Sequence, residues 1–240
     1  MWWTLIGVTF MLAGLVKGVI GMGLPTVAMG LLALALPPAE AAAILVVPSL
    51  VTNVWQLLAG PRFAALARRL WPMMAAVLVG TIAGAGVRAG NVAGLGKIGL
   101  GIALIVYAVV GLAGVRLSVA ARHEAWLGPL VGAITGLVTG ATGVFVIPAV
   151  PYLQAIGLEK EELIQALGLS FTVSTIALAI GLLRVDAWQM GSVWISLLAL
   201  VPALIGMQAG QWLRQRIAAA TFRRVFFAGL LLLGATLALA

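Results

Sequence analysis

Ten apolar runs occupy almost the whole chain, and they restrict its fold more than any other feature. The runs cover residues 2–24, 25–36, 41–59, 71–87, 98–115, 126–146, 147–156, 163–182, 191–212 and 225–239. Hydrophobic residues make up 63% of the sequence and charged residues only 8%, whereas soluble domains are roughly 45–50% apolar and about 25% charged. Because no soluble fold can cover that much apolar surface, the bilayer must be the solvent, where only helices or a closed barrel satisfy the backbone.

The runs are long, continuous and rich in Ala and Leu, without the short alternating stretches of barrel strands. The sequence therefore predicts an all-α polytopic membrane protein. Its net charge of +8 fits the basic loops that the positive-inside rule places on one side of a membrane, and does not indicate nucleic-acid binding. The start Met1-Trp2-Trp3-Thr4 has no basic n-region, so we interpret the first run as an uncleaved membrane segment rather than a signal peptide.

Residues suited to enzyme chemistry are scarce. The chain has no Cys, which excludes disulfides and thiolate metal sites. The acidic residues all fall in loops or at predicted helix starts, where helix capping accounts for them; they are Glu40, Glu124, Glu159, Glu161, Glu162 and Asp186. With no paired carboxylates inside a membrane segment, we predict no catalytic residue, no metal site and no cofactor, and expect that the protein is not an enzyme.

The second half of the chain repeats the first at a shift of 122 residues. The stretch Gly14-Leu15-Val16-Lys17-Gly18-Val19-Ile20-Gly21 aligns with Gly136-Leu137-Val138-Thr139-Gly140-Ala141-Thr142-Gly143, and Glu40, Arg62 and Gly84 align with Glu162, Arg184 and Gly206. Internal repeats of this kind are common in transporters. We therefore divide the chain into a first transmembrane repeat, 1–116, a cytoplasmic linker, 117–125, and a second transmembrane repeat, 126–240.

Loop charges predict how the two repeats are oriented. If loop 60–70 is cytoplasmic, the inside collects Arg62, Arg68, Arg69, Arg116, Arg122, Lys160, Arg214, Arg216, Arg223 and Arg224, and the outside collects only Arg88, Lys97 and Arg184. Equivalent loops then lie on opposite faces. The repeats are therefore predicted to be inverted, with both termini outside.

The second apolar run of each half is too short to be an ordinary span. The run 25–36 would form roughly 18 Å of helix, against a hydrocarbon core of about 30 Å, and the run 147–156 is shorter still. Each repeat is therefore predicted to be a helix plus a short half-helix, as a hairpin, followed by three transmembrane helices. Whether segments 25–36 and 147–156 span the membrane or re-enter is open at this point.

Glycines mark the opening of each repeat. Gly14, Gly18 and Gly21 lie at i, i+4 and i+7, on one predicted helix face, and the second repeat keeps that spacing. One interpretation is a packing seam, where small residues let two helix backbones approach closely. The other depends on Pro25 and Pro148, because proline suits the first turn of a helix. Each half would then present a helix N-terminus with free amides at membrane depth, which is an anion-binding arrangement.

Lys17 is the only charge well inside a long apolar run. A lysine near a helix end can extend its side chain to the interface, but Lys17 lies about 22 Å of helix beyond Trp2, so we interpret it as a functional charge. Its repeat mate is Thr139, which makes the predicted site asymmetric. Asn53 and Gln56 share a helix face, and two buried amides favour substrate contact. For the Ser and Thr residues of 41–59 and 163–182, interhelical hydrogen bonds are the preferred interpretation.

The chain resembles the sulfite exporter TauE/SafE family over nearly its whole length. The resemblance rests on the glycine-rich openings 14–25 and 136–148, each followed by a short helix, an acidic helix start and a span with polar residues. The stretches 48–56 and 68–72 are similar to one bacterial branch of that family. The resemblance implies export or uptake of sulfite, organosulfonates or related small anions through an inverted-repeat helical fold. Val47-Pro48-Ser49 stands where many members read Gly-Thr-Ser.

Together these features predict a secondary transporter or facilitator of a small anion, sulfite or an organosulfonate, in the inner (plasma) membrane. The anion is expected between the two hairpins, and the candidate residues are Lys17, Gly18, Gly21, Gly23, Thr26, Asn53, Gln56, Thr139, Gly140, Thr142, Gly143, Ser170 and Ser174. The expected partners are that anion and the lipid bilayer; a homodimer, the direction of transport, ion coupling and the exact substrate are left open. The alternative function is a membrane-embedded scaffold or assembly subunit of a partner complex, which gives no reason for Lys17 or for the two glycine-to-proline breaks.

The predicted topology can be tested with single cysteines in this cysteine-free chain. We expect Ala65→Cys, in the inner loop, to resist an impermeant maleimide added to intact spheroplasts, and Gly90→Cys, in an outer loop, to react with it. Permeabilised spheroplasts, in which both cysteines should react, provide the control. Labelling of both cysteines in intact spheroplasts would contradict the inverted orientation.

Overall fold

The computed structural model describes residues 2–89, 93–114, 117–184 and 190–239. Within these ranges the chain forms ten helices: α1 (Trp2–Ile20), α2 (Leu24–Leu32), α3 (Pro38–Leu58), α4 (Phe63–Ala89), α5 (Ala93–Ala113), α6 (Ala121–Thr142), α7 (Ala149–Ala155), α8 (Lys160–Arg184), α9 (Met190–Arg214) and α10 (Ala219–Leu239). Gly90, Arg116, Asp186 and the side chain of Arg88, all used in the sequence analysis, lie outside the described part.

Eight of these helices are long and apolar enough to cross a membrane, which confirms the prediction of an all-α polytopic membrane protein. The two exceptions, α2 and α7, contain 9 and 7 residues. At 1.5 Å of rise per residue, each covers less than half of a hydrocarbon core of about 30 Å. Helix α2 packs back against α1, with Gly23 beside the Val16 side chain. The opening of the first repeat is therefore a hairpin of one long and one short helix.

The long helices pack mainly against helices of the other half of the chain. With the shift of 122 residues, α1 to α5 correspond to α6 to α10. Helix α1 packs most extensively on α9, and its counterpart α6 packs on α4, so these two contacts are the same contact with the halves exchanged. The pairs α3–α8 and α5–α10 each join a helix to its own counterpart. Every large contact between long helices therefore connects one half to the other.

Glycines let the backbones of α4 and α6 touch. A Cβ atom added at Gly84 would lie 2.6 Å from the Leu137 carbonyl oxygen, and one at Gly80 would lie 2.6 Å from the Ala133 carbonyl oxygen. On the equivalent seam, Gly206 of α9 lies directly against the backbone of α1 at Met11. Small residues have this role in membrane bundles, where close packing replaces the hydrophobic driving force. Of the two interpretations offered for the helical glycines, the packing seam is the one that these contacts show.

The contacts also give the relative directions of the helices. Along the seam between α1 and α9, Gly14 lies against Ala203 and Gly18 lies against Met207, so the two helices run parallel. In the central pair, Asn53 contacts Thr175 while Leu57 contacts Gln165, so α3 and α8 run antiparallel. Antiparallel contact between counterparts is the arrangement expected of inverted halves, and the inverted orientation itself stays a prediction.

Most helix boundaries differ by a few residues from the apolar runs, and two of them change the sequence interpretation. Helix α1 ends at Ile20, so Gly21 follows the helix and does not share a helix face with Gly14 and Gly18. Helix α6 begins at Ala121, so residues 121–125 of the predicted linker are helical. The apolar runs could not reveal these ends, because polar or small residues can start or leave a helix without changing its hydropathy.

Ion pairs connect the halves at one end of the bundle. Arg62 lies 3.4 Å from Glu162, and Arg69 lies 2.7 Å from Glu124. Glu162 also accepts a hydrogen bond from the Glu159 backbone at 3.2 Å, which is the capping role expected for acids at helix starts. These four charged side chains are partly exposed, so their pairing orients the helix ends more than it stabilises the fold.

The glycine seam generates a stability prediction. We expect Gly206→Val to lower the thermal midpoint in detergent, because its side chain would overlap the α1 backbone, and overpacking costs typically about 1–3 kcal/mol. The matched control is Gly229→Val, another helical glycine with nothing within 4 Å of an added Cβ. Thermal midpoints and monodisperse yields should separate the two variants. Equal stability for both would contradict the seam.

Candidate functional site

Lys17 lies in the last turn of α1, with only 4% of its surface exposed. A lysine in the last turn of a helix is favoured by the helix dipole. Helix α1, however, ends inside the bundle, where α2 folds back, so the side chain does not extend to water. The sequence placed this charge deep in an apolar run, and the structure keeps it buried although it lies close to a helix end.

A chain of hydrogen bonds connects Lys17 to the centre of the bundle. The ammonium group donates to Asn53 Oδ1, the Asn53 amide donates to Thr175 Oγ1 at 3.3 Å, and Thr175 donates to the Phe171 carbonyl oxygen at 2.7 Å. Asn53 and Thr175 are 122 residues apart, which is the repeat shift. The polar chain therefore lies where the counterpart helices α3 and α8 meet.

The hydrogen-bond partner of Lys17 is neutral. The ion pairs recorded among the described residues join Arg62 to Glu162 and Arg69 to Glu124, and neither involves Lys17. A buried ammonium bonded to an amide keeps its charge uncompensated, and an uncompensated charge inside a membrane protein is costly. An anion bound beside Lys17 would supply the missing negative charge.

Buried hydroxyl groups lie on α3 and α8, the two helices that meet at Asn53 and Thr175. Ser49, Ser170 and Ser174 are fully buried, and their hydroxyls have no hydrogen-bond partner among the described residues. Ser49 lies one helical turn before Asn53, while Ser170 and Ser174 lie one turn apart on α8. An unsatisfied buried polar group costs about 1–3 kcal/mol. These hydroxyls can therefore donate to a bound water or oxyanion at a gain in stability.

Gln56 has a different environment from Asn53. Its amide donates to the Ile164 carbonyl oxygen at 2.9 Å, and Gln165 makes the reciprocal contact by donating to the Leu57 carbonyl oxygen at 2.8 Å. Gln165 Oε1 also accepts from the Arg62 backbone at 2.9 Å. These amides join the end of α3 to the start of α8. Substrate contact by Gln56 stays a prediction, and its buried Oε1 has no partner among the described residues.

Gly21 and Gly143 end the first helix of each half in the same way. Their φ angles are +82° and +78°, in the left-handed region that favours glycine. The Gly21 backbone donates to the Lys17 carbonyl oxygen at 2.7 Å, and Gly143 donates to that of Thr139 at 2.8 Å. The backbone geometry explains both glycines without an anion, because a side chain at either position would be strained.

The two short helices differ in how they begin. Gly23, with φ of +101°, precedes α2, Pro25 occupies its first turn, and no side chain caps the helix. In the second half, the Thr142 hydroxyl accepts from the Val144 backbone at 3.2 Å, which occupies an amide after Gly143. Helix α7 begins only at Ala149 and, like α2, has no side-chain cap. Thr26, one residue after Pro25, is fully buried, and its hydroxyl has no partner among the described residues.

The remaining candidates serve the packing of the first helix in each half. Gly18 lies against the α9 backbone at Met207, and Gly140 lies against α4 at Gly84. The Thr139 hydroxyl bonds the Thr135 carbonyl oxygen of its own helix at 2.7 Å. Thr139 carries a hydroxyl where the first half has the Lys17 ammonium, so the two equivalent positions differ in charge.

Thr175 and Ser49 were interpreted from the sequence as residues of interhelical hydrogen bonds, not as candidate site residues, and the bond from Asn53 to Thr175 is of that kind. One available signal was the repeat itself, because the shift of 122 residues places Thr175 opposite Asn53. A second was helical spacing, because Ser49 lies four residues before Asn53.

Comparison with protein families agrees with this architecture. A family model described as sulfite exporter TauE/SafE matches residues 6–237. The chain belongs to the sulfite exporter TauE/SafE family. Membership in TauE/SafE implies membrane transport of sulfite or related anions, and so a transporter family rather than an enzyme family. No curated protein and no solved structure matched the chain.

The Lys17–Asn53 hydrogen bond generates a second stability prediction. Asn53→Leu should destabilise the protein by about 3 kcal/mol or more, because it leaves a buried charge without its partner. In the Lys17→Met background the same change should cost far less, because the charge is gone. Thermal midpoints of the four proteins, measured without added anions, form the double-mutant cycle. A cost for Asn53→Leu that is the same in both backgrounds would mean that the hydrogen bond contributes nothing.

Proposed function

We propose that this TauE/SafE protein transports sulfite or an organosulfonate across the inner membrane, as a secondary transporter or facilitator. The supporting observation is Lys17, a buried cation whose hydrogen-bond partner is a neutral amide at the contact between the two halves. A scaffold protein would gain stability by replacing such a residue with an apolar one. An anion transporter needs the charge, because the charge holds the substrate.

The proposed seat for the anion lies between Lys17, Asn53 and the buried serine hydroxyls of α3 and α8. An oxyanion there would accept from the ammonium and from Ser49, Ser170 or Ser174, whose hydroxyls lack partners among the described residues. The uncapped start of α2 would add a positive dipole end. The substrate would thus replace a hydrogen bond in which only the ammonium is charged with one in which the donor and the acceptor carry opposite charges.

The seat lies between helices that belong to different halves, so opening the bundle on either side would expose it. The antiparallel contact of α3 with α8 supports an inverted repeat, and alternating access in such folds moves one repeat against the other. We place both termini outside and segment 60–70, which contains the connector and the start of α4, inside, as the charges favour.

Export along this route needs no coupled ion. One negative charge that leaves an inside-negative cell gains about 2.3 kcal/mol per 100 mV, enough for roughly a fifty-fold concentration gradient. The proposed seat contains no carboxylate among the described residues that could serve as a proton relay. We therefore infer a weakly coupled or uncoupled mechanism.

The function is tested by tracer flux into proteoliposomes, with sulfite, sulfate, thiosulfate and sulfonates in turn. We expect flux of sulfite or a sulfonate for the native protein and none above background for Lys17→Met, which keeps length and apolar character. Lys17→Arg should retain part of the flux, because its guanidinium carries the charge in another geometry. Thr139→Ala, at the repeat-equivalent position, should weaken flux more mildly. The matched control is Lys160→Met, an exposed lysine at the start of α8.

A second variant separates loss of charge balance from loss of folding. Asn53→Asp places a fixed carboxylate beside Lys17, which would then have a permanent counter-ion in place of the substrate. We expect this variant to be as stable as the native protein and to transport no anion. Native flux in either Lys17→Met or Asn53→Asp would remove Lys17 from the transport path.

A further inference from the structure

A cavity of about 590 Å³ opens at the end of the bundle where α1, α5, α7 and α10 meet. Its volume is typical of small-molecule sites, but it far exceeds a small oxyanion such as sulfite. The cavity therefore has room for an anion together with several waters. It contains none of the residues of the proposed seat, so it is a separate feature of the fold.

Arg223, near the start of α10, is the only charged residue in the cavity lining described by the structure. The described lining contains no acidic residue, so the fixed charge that it contributes to the cavity is positive. The described residues give Arg223 no ion pair, and its guanidinium lies 4.0 Å from an added Cβ at Gly114. The charge is thus available to a solute.

An aromatic cluster lines the cavity beside the connector between α1 and α2. Tyr107 packs edge-on against Phe227, which contacts Phe226, with both pairs of ring centroids 5.1 Å apart. The Tyr107 hydroxyl donates to Met22 Sδ at 3.3 Å, and the Phe226 ring lies against Gly23. The inner wall of the cavity is therefore the connector between α1 and α2, which begins directly after the turn that carries Lys17.

We propose that this cavity is the vestibule through which anions approach Lys17, and that Arg223 concentrates them there. The proposal rests on the proposed function for its direction, and the topology above places the vestibule on the cytoplasmic side. The aromatic cluster with Met22 is the barrier that an anion must pass. A structural role is the competing explanation for Arg223, since a cation near the end of α5 is favoured by the helix dipole.

The charge of the cavity can be tested without any transport assay. Gln154→Cys places a single thiol in the cavity wall, and Gln215→Cys places one on an exposed site outside the lining. The readout is the ratio of reaction rates with anionic and cationic methanethiosulfonates in detergent. We expect Arg223→Gln to lower this ratio about five-fold at Gln154→Cys, as loss of one nearby charge predicts, and to leave it unchanged at Gln215→Cys. Arg224→Gln, which removes the adjacent exposed charge, should change neither ratio.

Flux then tests whether the cavity lies on the path. Labelling Gln154→Cys with a bulky neutral methanethiosulfonate should reduce anion flux at least ten-fold, whereas labelling Gln215→Cys should not. An unchanged rate ratio with Arg223→Gln, or undiminished flux after Gln154→Cys is filled, overturns the vestibule. Absence of flux in the native protein, with the charge-selective labelling intact, overturns the proposed function and leaves an anion-attracting cavity.

Discussion

The first helix of each half packs against the fourth helix of the other half, glycine backbone to backbone, and the rest of the bundle depends on these two seams. In a bilayer the hydrophobic effect does not drive helices together, so close van der Waals contact must do so. Gly84 against Leu137 and Gly206 against Met11 provide that contact. Because both seams join different halves, neither half has a complete set of neighbours alone.

The seams fix the position of the central pair, α3 and α8. These counterparts meet at Asn53 and Thr175, where any departure from symmetry in the side chains becomes a chemical asymmetry. Lys17 is such a departure, because its counterpart is Thr139. One ammonium therefore reaches the contact between the halves, and a threonine hydroxyl on the other side bonds its own helix. An asymmetric charge inside a nearly symmetric frame is well suited to hold one small anion.

Most of the fold could be predicted from the sequence, because apolar runs mark the helices and because charged or polar groups are costly to bury among them. The charged fraction of 8% indicates that the bilayer is the solvent, and the ten helices of the described ranges match the ten apolar runs. Lys17 and Asn53 were recognisable because a charge and an amide are costly in apolar surroundings. Thr175 and Ser49 were assigned only to interhelical hydrogen bonds, because Ser and Thr commonly have that role in membrane helices and leave no pattern that marks a binding site.

The sequence by itself determined the solvent, the helices, the duplication and the buried charge, since each is a property of single segments or of two segments compared. Only the tertiary structure decided what the glycines do. Gly18 and Gly21 belong to one glycine pattern, and Gly140 and Gly143 belong to its repeat. Gly18 and Gly140 pack against another helix, whereas Gly21 and Gly143 have positive φ and end their own helix. Spacing cannot separate these roles, because the difference lies in whether a neighbouring backbone or a turn occupies the place of the missing side chain.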